Sequence, residues 1–208
     1  MFALTETDLG KPIIGCGDGP AGFNAIFNRR GGYAVATDPL YQFNAAQIAR
    51  RIDQTRQQVL SQVRQNAEAF VWTAIPSVEA LGAVRQAAMA IFLADYAASQ
   101  PTGRYVAAQL PSLPFADGQF ELSLCSHVLF SYSGHFTLDF HVQAIMEMLR
   151  VAKEARIFPL LNLAGAVSPH LSPVMDTLIQ AGFHPQLVTV GYEFQKGGKQ
   201  MLKVQPAQ

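Results

Sequence analysis

The residues best suited to chemistry in this chain lie in two short runs. The first is Ile13-Ile14-Gly15-Cys16-Gly17-Asp18-Gly19-Pro20-Ala21-Gly22-Phe23, and the second is Tyr33-Ala34-Val35-Ala36-Thr37-Asp38. Glycines at 15, 17 and 19 remove side chains from a bend between a strand and a helix, so a ligand can lie on the main chain and the helix N-terminus. An acid at the tip of the next strand, roughly 20 residues on, is placed to accept hydrogen bonds from ribose hydroxyls. Together these features describe a nucleoside site, with an adenosyl cofactor as its natural occupant. Gly17, Gly19 and Gly22 also satisfy G-x-G-x-x-G, so a nicotinamide dinucleotide is the competing occupant. That frame leaves Gly15 inside the first strand, where glycine is disfavoured.

The candidates for proton transfer follow a second apolar run, Phe120 to Ser126: His127, Tyr132, His135 and His141. His127 is the best placed, because the carboxyl end of such a strand faces the ligand crevice. His135 and His141, with Asp139, lack metal-ligand spacing and are expected to cap or line a loop; no metal is expected. Tyr132 and Phe136 read as core residues or as an apolar wall beside a cation. Cys16 and Cys125 read as small packing residues, reduced and unpaired.

A compact alternation of elements must position these groups. A helix opened by Pro20 and stopped by Gly31-Gly32 joins strand 1 to strand 2, as a parallel crossover requires. From Asn44 to Ala69, Ile48, Ile52, Val59, Val63 and Ala67 recur at helical spacing, with Arg50, Arg51, Arg56 and Arg64 between them. These arginines are either a solvated face or readers of an acidic acceptor. Phe70-Val71-Trp72 and Pro76 interrupt the pattern, and a second helix runs from Ser77 until Pro101 and Gly103 end it. Residues 44–103 therefore form a helical insertion between strands 2 and 3, expected to fold over the ligand edge as a lid. Strand 3 is expected at 104–107, a helix at 141–151, strand 5 at 155–161 and a helix at 171–181. The tail, 186–194 and 200–204 around Lys196-Gly197-Gly198-Lys199, reads as an antiparallel hairpin with a Gly-Gly turn.

The 208 residues suit one domain, 1–208. Half of them are hydrophobic and 14% are charged, with a formal net charge of zero. No basic field is available to neutralise a phosphate backbone, so a nucleic-acid partner is disfavoured. Neither a secretory leader nor a run of membrane-spanning length is visible, and a cytoplasmic location is expected.

Leu113-Pro114-Phe115-Ala116-Asp117-Gly118-Gln119-Phe120-Glu121-Leu122-Ser123-Leu124-Cys125-Ser126-His127-Val128-Leu129 resembles the adenine loop and fourth strand of class I S-adenosyl-L-methionine-dependent methyltransferases. Glu147-Met148-Leu149-Arg150-Val151-Ala152-Lys153 looks like that family's helix before strand 5, and Ile14 to Gly19 is similar to its first, glycine-rich motif. The resemblance covers 12–43 and 104–204 in order and leaves 44–103 unmatched. It implies a Rossmann-like, doubly wound, mostly parallel sheet with an antiparallel C-terminal hairpin strand. It also implies methyl transfer from S-adenosyl-L-methionine to a small acceptor, with S-adenosyl-L-homocysteine as product. By resemblance Gly15, Cys16, Gly17 and Gly19 hold the methionine portion and Asp38, with Pro39 beside it, the ribose. Gln109 and Leu110 then take the adenine, and Ser126 and His127 form the floor beneath the sulfonium. Ile13 stands where the family commonly has an acid, Gln109 where it has Asp, and Glu154-Ala155 where it has a Gly-Gly turn. A non-catalytic cofactor-binding module and a nicotinamide-dependent oxidoreductase are the alternative readings.

Overall fold

The computed structural model describes residues 1–99 and 102–207. In chain order its elements are α1 (Glu6–Leu9), β1 (Pro12–Cys16), α2 (Phe23–Arg29), β2 (Tyr33–Thr37), α3 (Ala45–Gln65), α4 (Val78–Ser99) and β3 (Tyr105–Val106). They continue with β4 (Phe120–Ser126), α5 (Leu138–Val151), β5 (Ala152–Phe158), α6 (Leu171–Gln180), β6 (Phe183–Thr189) and β7 (Gln200–Pro206). One seven-stranded sheet runs β3-β2-β1-β4-β5-β7-β6. Its pairings are parallel from β3 to β5, and β7 is antiparallel to both of its neighbours. This is the expected Rossmann-like, doubly wound sheet with an antiparallel C-terminal strand. The chain builds outward from β1 to β3 and then returns to β4 on the other side of β1. The resulting switch point, at the carboxyl ends of β1 and β4, is where such sheets open a ligand crevice. Because β6 runs with β5 and β7 against it, the 190–199 connection lies at that same carboxyl edge.

Several boundaries differ from the sequence pattern for identifiable reasons. Helix α2 starts at Phe23 rather than Pro20, because tertiary contacts hold 19–22: Tyr41 donates to the Gly19 carbonyl at 2.8 Å. The Ala88 carbonyl approaches to 3.2 Å of where a Cβ on Gly22 would sit. Helix α5 starts at Leu138, three residues early, because the Thr137 hydroxyl accepts from the Phe140 N–H and caps it. Strand β5 is displaced to Ala152–Phe158, taking in Glu154 and Arg156, which are buried by pairing. Arg156 meets Glu154 at 2.5 Å and Asp8 of α1 at 3.0 Å, and also donates to the Phe2 carbonyl. Strand β3 has only two residues, and Pro101, expected to end the preceding helix, lies outside the described residues.

The tail is not a tight hairpin. β6 ends at Thr189, and the chain beyond it turns aside to meet the α3–α4 link. The Val71 N–H donates to the Phe194 carbonyl at 2.7 Å, and the Lys196 N–H to the Ala69 carbonyl at 2.9 Å. Phe70 stacks on Phe194 at 4.9 Å and Trp72 stands edge-on to it at 5.5 Å. At its other end α4 packs Phe92 and Tyr96 against Tyr41 and Tyr105 in one aromatic block. The insertion therefore arches along the carboxyl edge, from the β2–β3 side to the β6–β7 connection. Among the described residues no helix is long and apolar enough to cross a membrane.

Candidate functional site

The glycine run leaves β1 at Cys16 and turns toward β2. The Gly17 and Asp18 N–H groups both donate to the Thr37 carbonyl, at 2.8 and 3.2 Å, and the Gly19 N–H donates to Asp38 Oδ2 at 2.9 Å. The amides expected to cradle a ligand are thus consumed within the protein. The vacated side-chain positions are also partly taken. A Cβ on Gly15 would collide with the Asp18 carboxylate, and one on Gly17 would stand 2.8 Å from Val128 Cγ2. Only at Gly19 is the main chain bare, the nearest atom to a Cβ there being Asp38 Oδ2 at 4.0 Å.

Asp38 is at the tip of β2, as expected. Its Oδ1 accepts from Leu40 N–H at 2.8 Å and caps the 3₁₀ turn Pro39–Gln42, leaving lone pairs on both oxygens for a further donor. Asp18, quoted in the glycine run without a role, lies beside it. Burial, and then the Asp38 charge, push the Asp18 carboxyl up to about 7. Its two oxygens accept no hydrogen bond among the described residues. Tyr41, pushed further from ionisation by burial and by both acids, keeps its proton and spends it on the Gly19 carbonyl.

On the β4 side, His127 adopts a left-handed backbone with φ of 57°. This non-glycine strain is held by its N–H, which donates to the Phe158 carbonyl at 2.7 Å, and by its ring, edge-on to Phe158. Nδ1 lies 2.7 Å from Ser126 Oγ, itself 3.2 Å from Met1 Sδ, and Nε2 has no hydrogen-bond partner among the described residues. Burial, then the positive charge of Arg85, hold the imidazole below its usual pKa, so it is neutral at pH 7 and able to accept a proton. Arg85 makes no hydrogen bond or ion pair among the described residues and is the one cation on α4. The arginines expected to face an acceptor stand elsewhere: Arg50, Arg51, Arg56 and Arg64 are exposed along α3, with Arg64 paired to Glu79. The signal for Arg85 was available as the single basic residue of a mostly apolar helix.

The remaining site residues divide. Gln109 is exposed after β3 and its carbonyl accepts from Ser112 N–H, whereas Leu110 turns into the main core with Leu113. Glu147 and Arg150 staple this loop: Glu147 accepts from Leu113 N–H at 2.6 Å, and Arg150 donates to the Leu113 and Phe115 carbonyls. Tyr132 is exposed rather than core, edge-on to His135, and Phe136 stacks on Phe140. His141 is fully buried between the Thr137 and Leu129 carbonyls and is a packing residue of α5. Cys16 and Cys125 are free, buried thiols on neighbouring strands, and burial pushes Cys125 up to about 12. Among the described residues no group of three His, Cys, Asp or Glu side chains could hold a metal ion.

No protein-family model matches the chain. An uncharacterized protein of Methanocaldococcus jannaschii is 28% identical over 206 residues, spanning 97% of this chain and 89% of its own length. Among solved structures, the chain is similar to magnesium protoporphyrin IX methyltransferase of Synechocystis with bound S-adenosylmethionine, at TM-score 0.49 and 11% identity over 97% of this chain and 73% of that one. It is similar to 1,6-didemethyltoxoflavin-N1-methyltransferase of Burkholderia thailandensis with bound S-adenosylhomocysteine, at TM-score 0.47 and 14% identity over 97% and 74% of the two chains. A S-adenosylmethionine-dependent methyltransferase of Aquifex aeolicus gives TM-score 0.45 and 14% identity over 99% and 84%.

Proposed function

We propose that this chain is a single-domain enzyme that transfers a methyl group from S-adenosyl-L-methionine to a small acceptor held beneath the α3–α4 arch. The observation that carries the reading is the chemistry of the glycine loop. A dinucleotide pyrophosphate needs free N–H groups at this bend. Here the amides of 17–19 are consumed and two carboxylates, Asp18 and Asp38, stand beside them. That is a cradle for a cation bound to a ribose, not for a polyanion. The three motif resemblances, in order on the sheet they imply, support the same ligand.

The cofactor, when bound, supplies a methyl group already activated on a sulfonium. The protein's task is then alignment, which can contribute as much as roughly 7–11 kcal/mol. Asp38 offers its remaining lone pairs to the ribose hydroxyls, and bare Gly19 lets the sugar approach. His127, neutral and with Nε2 unengaged, stands at the end of β4 to take the proton that a hydroxyl or ammonium acceptor must lose. The arch, tied to Phe194 and Lys196, excludes water from this edge and limits the acceptor's size.

Titration calorimetry with S-adenosylhomocysteine tests the reading. The expected outcome is binding by the wild-type protein and a loss of about tenfold or more in Asp38→Ala, as removal of a charged hydrogen-bond acceptor implies. A folded protein that ignores millimolar ligand overturns it.

A further inference from the structure

We propose that the opening between the middles of α3 and α4 receives the methyl acceptor, and that Arg85 holds it by a carboxylate, so that the acceptor is a small monocarboxylic acid with an apolar body. The inference rests on the methyl-transfer reading above and deepens it.

Helices α3 and α4 meet at two places. Ile48 joins Phe92 and Tyr96 in the aromatic block, and Leu60 lies against Gly82, where a Cβ would stand 3.2 Å from Leu60 Cδ1. Between these contacts the pair is open. On α4 the buried stripe includes Val78, Leu81, Phe92 and Tyr96; Arg85 stands one helical turn after Leu81 and two before Phe92, so it shares that stripe, yet it is exposed. On α3 the positions between Ile48 and Leu60 behave alike: Ile52, Thr55 and Val59 are only half-buried. These three, with Gly82, Arg85 and Met89, line one cleft. Its walls are mostly apolar and its charge is confined to a few groups, as in small-molecule sites.

That charge selects the ligand. Arg56, Arg85 and Asp53 are the charged groups lining the cleft, and none of their side chains makes a hydrogen bond or ion pair among the described residues. Two guanidinium groups against one carboxylate leave a single positive charge, which suits a monoanion better than a phosphate of charge near −2. A guanidinium also meets a carboxylate with two parallel N–H donors. Arg85, rather than Arg56, borders the crevice: one turn further on, at Ala88, α4 crosses the glycine loop at Gly22, and the Arg85 charge is felt at His127. An acid held by Arg85 therefore lies between the cleft and the end of β4.

Benzoate and benzamide share a shape and differ in charge, and both can be titrated by NMR without cofactor. At about pH 8, where phenyl phosphate is a dianion, benzoate is expected to bind wild type at millimolar concentration or tighter and to shift the His127 imidazole resonances. It should bind about tenfold more tightly than benzamide, and more tightly than phenyl phosphate. Arg85→Gln should weaken benzoate about tenfold and leave benzamide unchanged. Thermal unfolding of this variant should match wild type, because an exposed, unpaired side chain is altered. No benzoate binding, equal binding of acid and amide, tighter binding of phenyl phosphate, an undisturbed His127, or wild-type affinity in Arg85→Gln overturns the proposal. These outcomes are read without cofactor and so leave the cofactor reading standing. Should S-adenosylhomocysteine fail to bind while benzoate binds as expected, the anion site stands and its role as the acceptor site is overturned.

Discussion

Asp18→Asn should make the ligand-free protein more stable, and only at neutral and alkaline pH. The folded state holds this carboxyl near 7, whereas an unfolded chain releases its proton near the ordinary value of 3.8. Between those values the folded state binds more protons than the unfolded one, so the contribution of this group to stability falls as pH rises and is fully lost above about 7. A displacement of this size is worth roughly 4 kcal/mol if fully expressed, and residual solvent contact reduces it to about 2–4 kcal/mol. The amide has no charge to desolvate. For a domain of this length the gain corresponds to a melting temperature raised by about 4–16 °C at pH 8, with little difference from wild type at pH 4. Differential scanning calorimetry of both proteins across that range gives the result, because titrating groups not coupled to Asp18 cancel in the difference. A variant no more stable than wild type at pH 8, or a difference that does not grow with pH, refutes the account of Asp18 as a desolvated, unpaired acid.

Trp72 is the only tryptophan and sits in the contact between the arch and the 190–199 connection, so its emission reports that contact. Phe194→Ala should redshift the emission and roughly double acrylamide quenching while costing about 1–3 kcal/mol of stability; unchanged fluorescence would show that the arch does not depend on this stack. Arg85→Ala should raise the pKa of His127, read from its imidazole proton resonances, because the cation opposing protonation is gone; a fall or no change shows that Arg85 does not act on this imidazole. Arg150→Ala should destabilise the fold by about 1–3 kcal/mol in urea unfolding, since Glu147 and two loop carbonyls lose their donor; a neutral effect would show that the 113–117 loop is held without it.

Strands β1, β2 and β4 were legible because their residues form short apolar runs bounded by glycine or acid, the pattern of strands covered on both faces. β5 was expected three residues too late, at 155–161, because Glu154 read as part of the turn before the strand, while in three dimensions it is neutralised by Arg156, which also pairs with Asp8 across 148 residues of sequence. No local pattern contains that pairing. The carboxylate at 38 was legible from spacing alone. What the glycines do was not: the sequence shows vacant side-chain positions, but only the fold shows that Asp18 and Val128 fill two of them and that Thr37 takes the amides.

The insertion solves a problem created by the sheet itself. β3 pairs over two residues only, too few to cover the outer side of β2, whose buried face would otherwise be open at the edge. α4 supplies the missing cover with Phe92 and Tyr96, which close on Tyr41 and Tyr105, while the Tyr96 hydroxyl reaches the Tyr41 and Phe43 carbonyls at 2.8 Å. Tyr41 in turn holds the Gly19 carbonyl. One chain of contacts therefore runs from the arch through the aromatic block to the one bare point of the glycine loop. The positions of α4 and of Gly19 are therefore fixed by one continuous set of contacts.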